Sequence, residues 1–312
     1  MSELKTTSLS HKDNNTGTPN ITMYPDGTTS LPGTVLNGLR NQLINGAYRI
    51  AQRGTSATET TAGYRTLDRW FVGRLASCEE EQVNNAALEQ EAGTSNSMRL
   101  TPGNAGDIRQ MIEIVEGEPS QFQIGTTWTL SFYCNRENTS LSIGFADGVS
   151  GGGNYVNVVS ASTAPQRVGT TNQYTHTFTI TSNPNGTNKG LRVILSPSSS
   201  EYTDFTGAQL EPGPVATPFE LRPIGLELSL CQRYYETISD MPMGARYNST
   251  TNFYRVAAAV INMRTSPTTA VVTSTNLSTI QVNASSGICQ MFGVGAGETS
   301  ATQISVTLDA EL

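Results

Sequence analysis

The feature that most constrains the fold is an alternation of apolar and polar residues that runs through residues 37–220. Successive side chains of a β-strand point to opposite faces of a sheet, so this alternation is typical of half-buried strands. Turns rich in Gly, Asn and Pro separate the alternating segments, and no helical stretch between them could cover a parallel sheet. The predicted strands lie at residues 48–53, 68–76, 97–101, 109–116, 127–135, 140–146, 155–160, 173–181, 191–196 and 206–210. The chain is therefore predicted to be all-β, with a jelly-roll β-sandwich at residues 37–222.

Two further β-containing parts flank this sandwich. Residues 1–36 are polar and lack a core pattern, so we expect an extended arm with one small hairpin around Pro25-Asp26-Gly27. Such an arm cannot order itself by burying apolar surface, and we expect another subunit or another protein to hold it. Residues 241–312 return to strands but carry few large apolar groups, so we predict a small C-terminal β-domain whose marginal core trimerisation would complete.

A short helix is predicted between the two β-domains, within residues 223–240. Pro218 and Pro223 end the sheet pattern, and Leu226, Leu230 and Tyr234 then follow four residues apart. That spacing places the three side chains on one helical face. We therefore interpret this segment as a hinge helix and expect subunits to meet at that face.

Composition excludes several functional classes. The 312 residues carry a net charge of −7 and form no basic stripe, which argues against nucleic-acid binding. Residues 1–20 contain no apolar run, and no later stretch is apolar enough to enter a membrane, so we expect synthesis in a cytoplasm. The four scattered cysteines, which we interpret as buried free thiols, are Cys78, Cys134, Cys231 and Cys289.

Catalysis has little support in the sequence. His11 and His176, the two histidines, form neither a triad nor a metal site with confident partners, and no cofactor motif is present. The carboxylates that could hydrolyse a glycoside are Glu79-Glu80-Glu81, Asp107 with Glu113, and Asp147, and we interpret the first set as a solvated loop and Asp147-Gly148 as a turn. We therefore predict no catalytic residue, no metal site and no cofactor.

Sugar binding needs an exposed aromatic face with polar neighbours. Trp70 and Trp128 lie in alternating strands and are expected in the core. Tyr155, which follows a Gly-rich turn, and Tyr174 are the rings predicted to be exposed, and they are the candidate glycan contacts. A purely structural role for both rings remains the alternative.

Several local motifs resemble those of structural proteins of tailed bacteriophages. The segment 41–55 (NQLINGAYRIAQRGT), followed by Tyr64 and by Leu67-Asp68-Arg69-Trp70, resembles the opening of the carbohydrate-module-like jelly roll of phage tail-fibre and virion proteins. The segment 207–211 (GAQLE), the junction 210–223 (LEPGPVATPFELRP) and the terminal 306–312 (VTLDAEL) are similar to the way such proteins close and end. Residues 20–28 (NITMYPDGT) are similar to N-terminal segments of short cyanophage fibres.

The resemblance implies a virion structural protein, commonly a homotrimer, that is held on the particle through residues 1–36. A short tail fibre for host-surface attachment, with host glycan as a possible ligand, is the leading interpretation. A capsid decoration or head fibre is the alternative, and a non-catalytic carbohydrate-binding module of a cellular glycan-processing system is a third. The resemblance assigns no sugar-contacting residue.

Overall fold

The computed structural model confirms an all-β chain, because its described residues form 23 strands and two helices. The residues that it describes are 8–9, 21–23, 29–30, 40–59, 61–73, 78–102, 106–114, 121–137, 139–150, 154–184, 187–197, 202–248, 251–275, 277, 279–285, 287–295 and 303–311.

Three short strands belong to the predicted arm: β1 (Ser8–Leu9), β2 (Ile21–Met23) and β3 (Thr29–Ser30). They form one antiparallel sheet in the order β1-β2-β3, with Thr22 opposite Ser30. The pairing of β2 with β3 confirms the predicted hairpin. The rest of residues 1–36, to which virion attachment was assigned, lies outside the described residues.

The next elements form a large sandwich. They are β4 (Ser56–Glu59), β5 (Gly63–Tyr64), β6 (Phe71–Gly73), β7 (Cys78–Val83), α1 (Ala86–Ala92), β8 (Ser97–Pro102), β9 (Asp107–Glu113), β10 (Thr127–Cys134), β11 (Thr139–Ala146), β12 (Tyr155–Thr163), β13 (Gln166–Arg167), β14 (Gln173–Thr179), β15 (Gly190–Pro197) and β16 (Thr203–Pro212).

The strand order of this large sandwich is that of a jelly roll. One sheet runs β13-β14-β10-β16-β8-β7-β4 and the other β12-β11-β15-β9-β6-β5, and the strands of the described residues pair antiparallel. The eight central strands β8-β16-β10-β14 and β9-β15-β11-β12 are arranged as two interlocked Greek keys. The predicted jelly roll is therefore confirmed.

Inward-facing side chains of both sheets fill one continuous core. Trp70, Phe132 and Phe145 are among its largest fully buried members, and the ring centroids of Phe122 and Trp128 lie 4.7 Å apart. Both tryptophans thus lie in the core, as predicted. Burial of this many aliphatic and aromatic groups is the main favourable term in folding the sandwich.

One predicted strand of the sandwich is wrong. Residues 48–51 form no regular element and residues 52–53 form a turn, and the backbone of Asn45 and Tyr48 is left-handed, with φ of 58° and 52°. Positive φ turns the chain away from the extended direction, and two such residues three positions apart bend this segment out of a strand path. The helix α1, which begins at an Asn85 cap, was not predicted.

The C-terminal elements form a second, smaller sandwich that follows one helix. They are α2 (Ile224–Gln232), β17 (Tyr235–Pro242), β18 (Gly244–Asn248), β19 (Thr251–Ala259), β20 (Thr268–Ser274), β21 (Thr279–Ser285), β22 (Ile288–Gly295) and β23 (Gln303–Asp309). The sheet β17-β23-β20 shares a core with the sheet β18-β19-β22-β21, built around Ile238, Met291 and Val306. Strand β17 begins within residues 223–240, which were predicted as the hinge, so the C-terminal strands start earlier than expected.

Cys134, Cys231 and Cys289 are buried free thiols, as predicted, whereas the side chain of Cys78 lies outside the described residues. Among the described residues, no helix is long and apolar enough to span a membrane.

Candidate functional site: the junction between the two sandwiches

The opening and closing motifs of the large sandwich bind each other directly. Asn41 Nδ2 donates to Ala208 O at 3.0 Å, and Asn41 Oδ1 accepts from Leu210 N at 3.0 Å. Ala208 N donates to Gly46 O at 2.9 Å. A Cβ on residue 46 would lie 2.0 Å from Ala208 O, so only glycine allows this approach. The two ends of the sandwich are therefore fastened by hydrogen bonds that depend on Asn41 and Gly46.

Asn45 links the opening motif to the segment that carries Asp68 and Trp70. Its Nδ2 donates to the carbonyls of Ile50 at 2.8 Å and Asp68 at 3.0 Å, and its own carbonyl accepts from Trp70 Nε1 at 3.0 Å. Asn45 is 1% exposed, so these bonds satisfy an amide that would otherwise be costly to bury. They fix the left-handed turn that follows Asn45.

Two buried arginines extend from this segment to the C-terminal end of the chain. Arg69, itself in the left-handed region with φ of 71°, forms an ion pair with Glu311 and donates to Met111 O at 2.7 Å. Its guanidinium carbon lies 3.5 Å from the ring centroid of Tyr234. The side chains of Arg69 and Glu311 are 1% and 4% exposed, so this pair lies in the interior of the protein.

Arg53 forms the second connection. Its Nη2 lies 3.4 Å from Asp309 Oδ2 and 3.5 Å from Glu311 Oε1, and its guanidinium carbon lies 3.5 Å from the ring centroid of Tyr235. Its Nη1 lies 3.9 Å from Asp68 Oδ1. These side chains, which we call the junction cluster, are Arg53, Asp68, Arg69, Tyr234, Tyr235, Asp309 and Glu311. The junction cluster joins the large sandwich to strands β17 and β23 of the small one.

Burial perturbs two carboxyl groups near the cluster. Burial raises the pKa of Asp68 to about 6, although hydrogen bonds from Gln52 and the charge of Arg53 lower it. Burial likewise raises the pKa of Glu80 to about 7, against a hydrogen bond from Thr66 N at 3.1 Å. Desolvation disfavours the ionised form of a carboxyl, so both groups resist losing their proton.

The predicted helical face of Leu226, Leu230 and Tyr234 is not the side on which the hinge helix packs. The helix instead contacts the large sandwich through a buried carboxylate. Glu227, on the buried face of α2 with Cys231, accepts hydrogen bonds from Asn45 N and, at 3.3 Å, from Arg222 Nη1. The helix ends at Gln232, and the Tyr234 beyond it is buried beside Arg69. The predicted common face therefore does not exist.

The other two residues of that predicted face lie away from the buried side. Leu226 is 41% exposed and Leu230 is partly exposed. Leu221 and Ile224, at 52% and 47% exposure, are further exposed apolar side chains around the start of the helix. Leu226 and Leu230 thus remain candidates for subunit contact, whereas Tyr234 belongs to the junction.

Tyr155, the first predicted glycan contact, is 36% exposed at the start of β12. Its hydroxyl lies 2.8 Å from Ser142 Oγ, its ring lies over Gly144, and the guanidinium carbon of Arg192 is 4.8 Å from the ring centroid. The ring is thus only partly exposed, and a contact between Tyr155 and a glycan stays a prediction.

Tyr174, the second predicted contact, does not have the expected exposure. It is 3% exposed, and its ring stacks on that of Phe132 with centroids 5.8 Å apart. In β14, Tyr174 shares its inward direction with Phe178, which places both in the core. A ring so placed has no free face for a sugar.

The described residues contain no group of three His, Cys, Asp and Glu side chains that could hold a metal ion. His176 lies against the ring of Phe178, with centroids 6.2 Å apart, and burial lowers its pKa. His11 lies outside the described residues.

Arg69 and Glu311 both lie in motifs that resemble phage proteins, but the sequence alone predicted no role for either residue. The signal that could have identified Arg69 is its position in Leu67-Asp68-Arg69-Trp70, where a charged pair interrupts an apolar run. Charged residues are rarely buried without partners, so a charge inside a core segment predicts a buried ion pair. The partner, Glu311, could not be identified because the pair joins opposite ends of the chain.

Comparison with known proteins leaves the family open. No family model matches the chain, and no curated protein matches it significantly. Among solved structures, it is similar to the enzymatically active domain of bacteriophage CBA120 tailspike protein 4, with 18% identity, 55% of this chain and 21% of that chain covered, and a TM-score of 0.32. This chain thus spans about a fifth of that protein's length.

Two other similar structures are enzymes of different kinds. One is the CBM22-1–GH10 part of Clostridium thermocellum xylanase 10B complexed with xylohexaose, with 10% identity, 55% of this chain and 30% of that chain covered, and a TM-score of 0.31. The other is a cyclase from Fischerella sp. TAU, with 11% identity, 58% of this chain and 100% of that chain covered, and a TM-score of 0.34. Likenesses at these TM-scores do not inform the function of this chain.

Proposed function

We propose that this chain is a non-enzymatic structural protein of a tailed-bacteriophage virion. In this proposal it is a short tail fibre that other virion proteins hold through residues 1–36, and its two sandwiches point toward the host surface. The observation that carries the proposal is the junction cluster, in which the buried pair of Arg69 and Glu311 ties one sandwich to the other.

A buried ion pair favours one arrangement over others, because breaking it leaves an uncompensated charge in the interior. Arg53 adds a second contact to Asp309 and Glu311, and Gln52 Nε2 donates to Tyr235 O at 2.8 Å. Several polar contacts across one boundary resist rotation better than an apolar contact, because each has a required direction. A fixed orientation between successive β-domains suits a protein that presents a surface at a distance from its anchor.

Three of the motifs that resemble phage proteins supply members of the junction cluster. Residues 41–55 supply Arg53, residues 67–70 supply Arg69, and residues 306–312 supply Glu311. The resemblance therefore has a physical basis in the architecture, which supports a structural role for the chain.

The proposal includes a homotrimer with contacts at Leu221, Ile224 and Leu226, whose apolar side chains are exposed around the start of α2. Exposed apolar groups at a protein surface can mark an interaction site. Leu230 continues the same helix and is partly exposed. Three copies meeting there would place the junctions side by side and point the three small sandwiches in one direction.

Labelling of virus particles tests the proposal. Gold-labelled antibodies against the purified chain are applied to particles of the phage that encodes this chain. Particles of an unrelated phage serve as the control. Gold on the tail supports the short tail fibre, whereas gold on the capsid indicates a decoration protein or head fibre. Unlabelled particles, with the chain found free in the lysate, would overturn a virion role and favour a cellular carbohydrate-binding module.

A further inference from the structure

The outward face of the four-stranded sheet in the small sandwich carries an aromatic ring between two polar side chains. The register places Arg255 of β19 opposite Phe292 of β22, and Phe292 opposite Gln281 of β21. Neighbouring positions, such as Met291, point into the core of the small sandwich. Phe292 is only half-buried, so part of its ring faces solvent.

These side chains line a hollow of about 570 Å³. Thr279 and Val294 are paired in the next row of the same face and line it as well. A volume of this size falls within the range of about 300 to 1,000 Å³ that small-molecule sites occupy. The hollow thus combines an aromatic surface with an amide and a hydroxyl at a size that suits one or two sugar rings.

Arg255 gives the hollow its charge. Its guanidinium carbon lies 5.0 Å from the centroid of the Phe292 ring, which steadies the side chain without using its hydrogen-bond donors. Among the described residues, no carboxylate forms an ion pair with Arg255, and the side chain is exposed. This contrasts with Arg53 and Arg69, which are buried against carboxylates. An arginine held in place with its donors free is suited to bind an anion that comes from outside.

We infer that this hollow binds a saccharide whose pyranose ring carries a carboxylate, of the uronic-acid or sialic-acid class. The guanidinium fork of Arg255 matches a carboxylate in two parallel hydrogen bonds, and the Phe292 ring offers a surface for the apolar face of the sugar. Gln281 and Thr279 can exchange hydrogen bonds with the hydroxyls. The described lining residues include no carboxylate or imidazole, so the arrangement is suited to binding.

This inference rests on the proposed function only for the source of the saccharide, a host surface. The binding chemistry belongs to the chain itself and can be measured without a particle.

Ligand-detected NMR on the purified full-length chain tests the inference. The probes are galacturonic, glucuronic and N-acetylneuraminic acid oligosaccharides, each beside the same oligosaccharide with its carboxylates reduced to alcohols. The variants are Arg255→Gln and Phe292→Ala, and Asn283→Ala on the same outward side of β21 is the matched control. Thermal melting verifies that each variant is folded.

At least one acidic oligosaccharide is expected to bind and its reduced form to bind about tenfold more weakly or not at all. Arg255→Gln should abolish that preference, Phe292→Ala should weaken binding of both forms, and Asn283→Ala should change neither. Binding that survives both Arg255→Gln and Phe292→Ala would overturn the site, as would a folded chain that binds none of the probes. Equal binding of a carboxylate-terminated peptide would overturn the saccharide class.

Failure of this inference is distinguishable from failure of the proposed function. Labelled particles with no saccharide binding refute the site alone, whereas carboxylate-dependent binding with unlabelled particles refutes the virion role alone.

Discussion

Arg69 and Glu311 lie 242 positions apart in the sequence and form a buried ion pair between the two sandwiches. The pair is supported by the Tyr234 ring, whose centroid lies 3.5 Å from the Arg69 guanidinium carbon. It lets the last strand of the chain orient the small sandwich against the core of the large one.

Removal of one partner from this pair should destabilise the protein strongly. Glu311→Ala leaves the Arg69 guanidinium buried, and we expect the free energy of unfolding to fall by about 3 to 5 kcal/mol. The double variant Arg69→Met with Glu311→Leu should recover part of that loss, because neither charge remains. Urea unfolding measures the stability of the single and the double variant.

Arg167→Gln, which breaks an exposed pair with Glu137, is the control and should change stability by less than about 1 kcal/mol. A loss of similar size in Glu311→Ala and the control would contradict a structural role for the junction cluster.

Stability should depend on pH through Glu80. The pKa of Glu80 in the folded protein, about 7, lies above its ordinary value of 4.5. As the pH rises from 4.5 to 7, the unfolded chain therefore releases a proton that the folded protein keeps. The free energy of unfolding therefore falls between about pH 4.5 and 7, by about 3 kcal/mol for this group.

Glu80→Gln isolates that contribution, because a neutral amide replaces the carboxyl. We expect the variant to gain about 2 kcal/mol over the parent at pH 8 and to match it, or fall slightly below it, at pH 5. Denaturation of both proteins at the two pH values measures the difference. A difference that is the same at pH 5 and pH 8 would show that folding does not raise the pKa of Glu80.

Gly46→Ala should disrupt the contact between the opening and closing motifs of the large sandwich and lower the stability of the protein. The new methyl group would lie 2.0 Å from Ala208 O, and backbone atoms must shift to relieve that overlap. We expect a loss of about 1 to 3 kcal/mol in thermal or urea unfolding. Gly225→Ala in α2, where a Cβ meets nothing within 4 Å, is the matched control and should leave stability unchanged or slightly higher. An equal effect at the two positions would be inconsistent with the close approach.

Assembly should depend on the exposed apolar residues around the start of α2. Leu226→Asp places a charge in the proposed subunit contact, so the mass measured by light scattering should fall from three chains to one. Ile124→Asp, at a residue 56% exposed on the large sandwich, is the control and should keep the parent mass. A parent protein that is a stable monomer would refute the trimer.

The strands were largely predictable from sequence because their alternation is a local signal. The jelly-roll strands from β8 to β16 follow the predicted segments closely, since inward residues such as Leu130 and Phe132 recur at every second position. The turn at 48–53 was not predictable in the same way, because the left-handed Tyr48 is set by contacts of Asn45 with distant backbone.

The contacts at the junction could not be predicted from the sequence either, because they also join residues that are distant in the chain. Glu227 lies between the two leucines of an apparently apolar helix, and only its bonds to Asn45 and Arg222 show that the carboxylate faces inward. The predicted exposure of Tyr174 is wrong because β14 turns this side chain toward the ring of Phe132.

A reconstruction by electron cryomicroscopy of particles that carry this chain tests the central claim most directly. The account predicts density on the particle for three copies of the chain, with each small sandwich held against its large sandwich at Arg69 and Glu311. Particles without such density, or copies whose two sandwiches take many relative orientations, would contradict it.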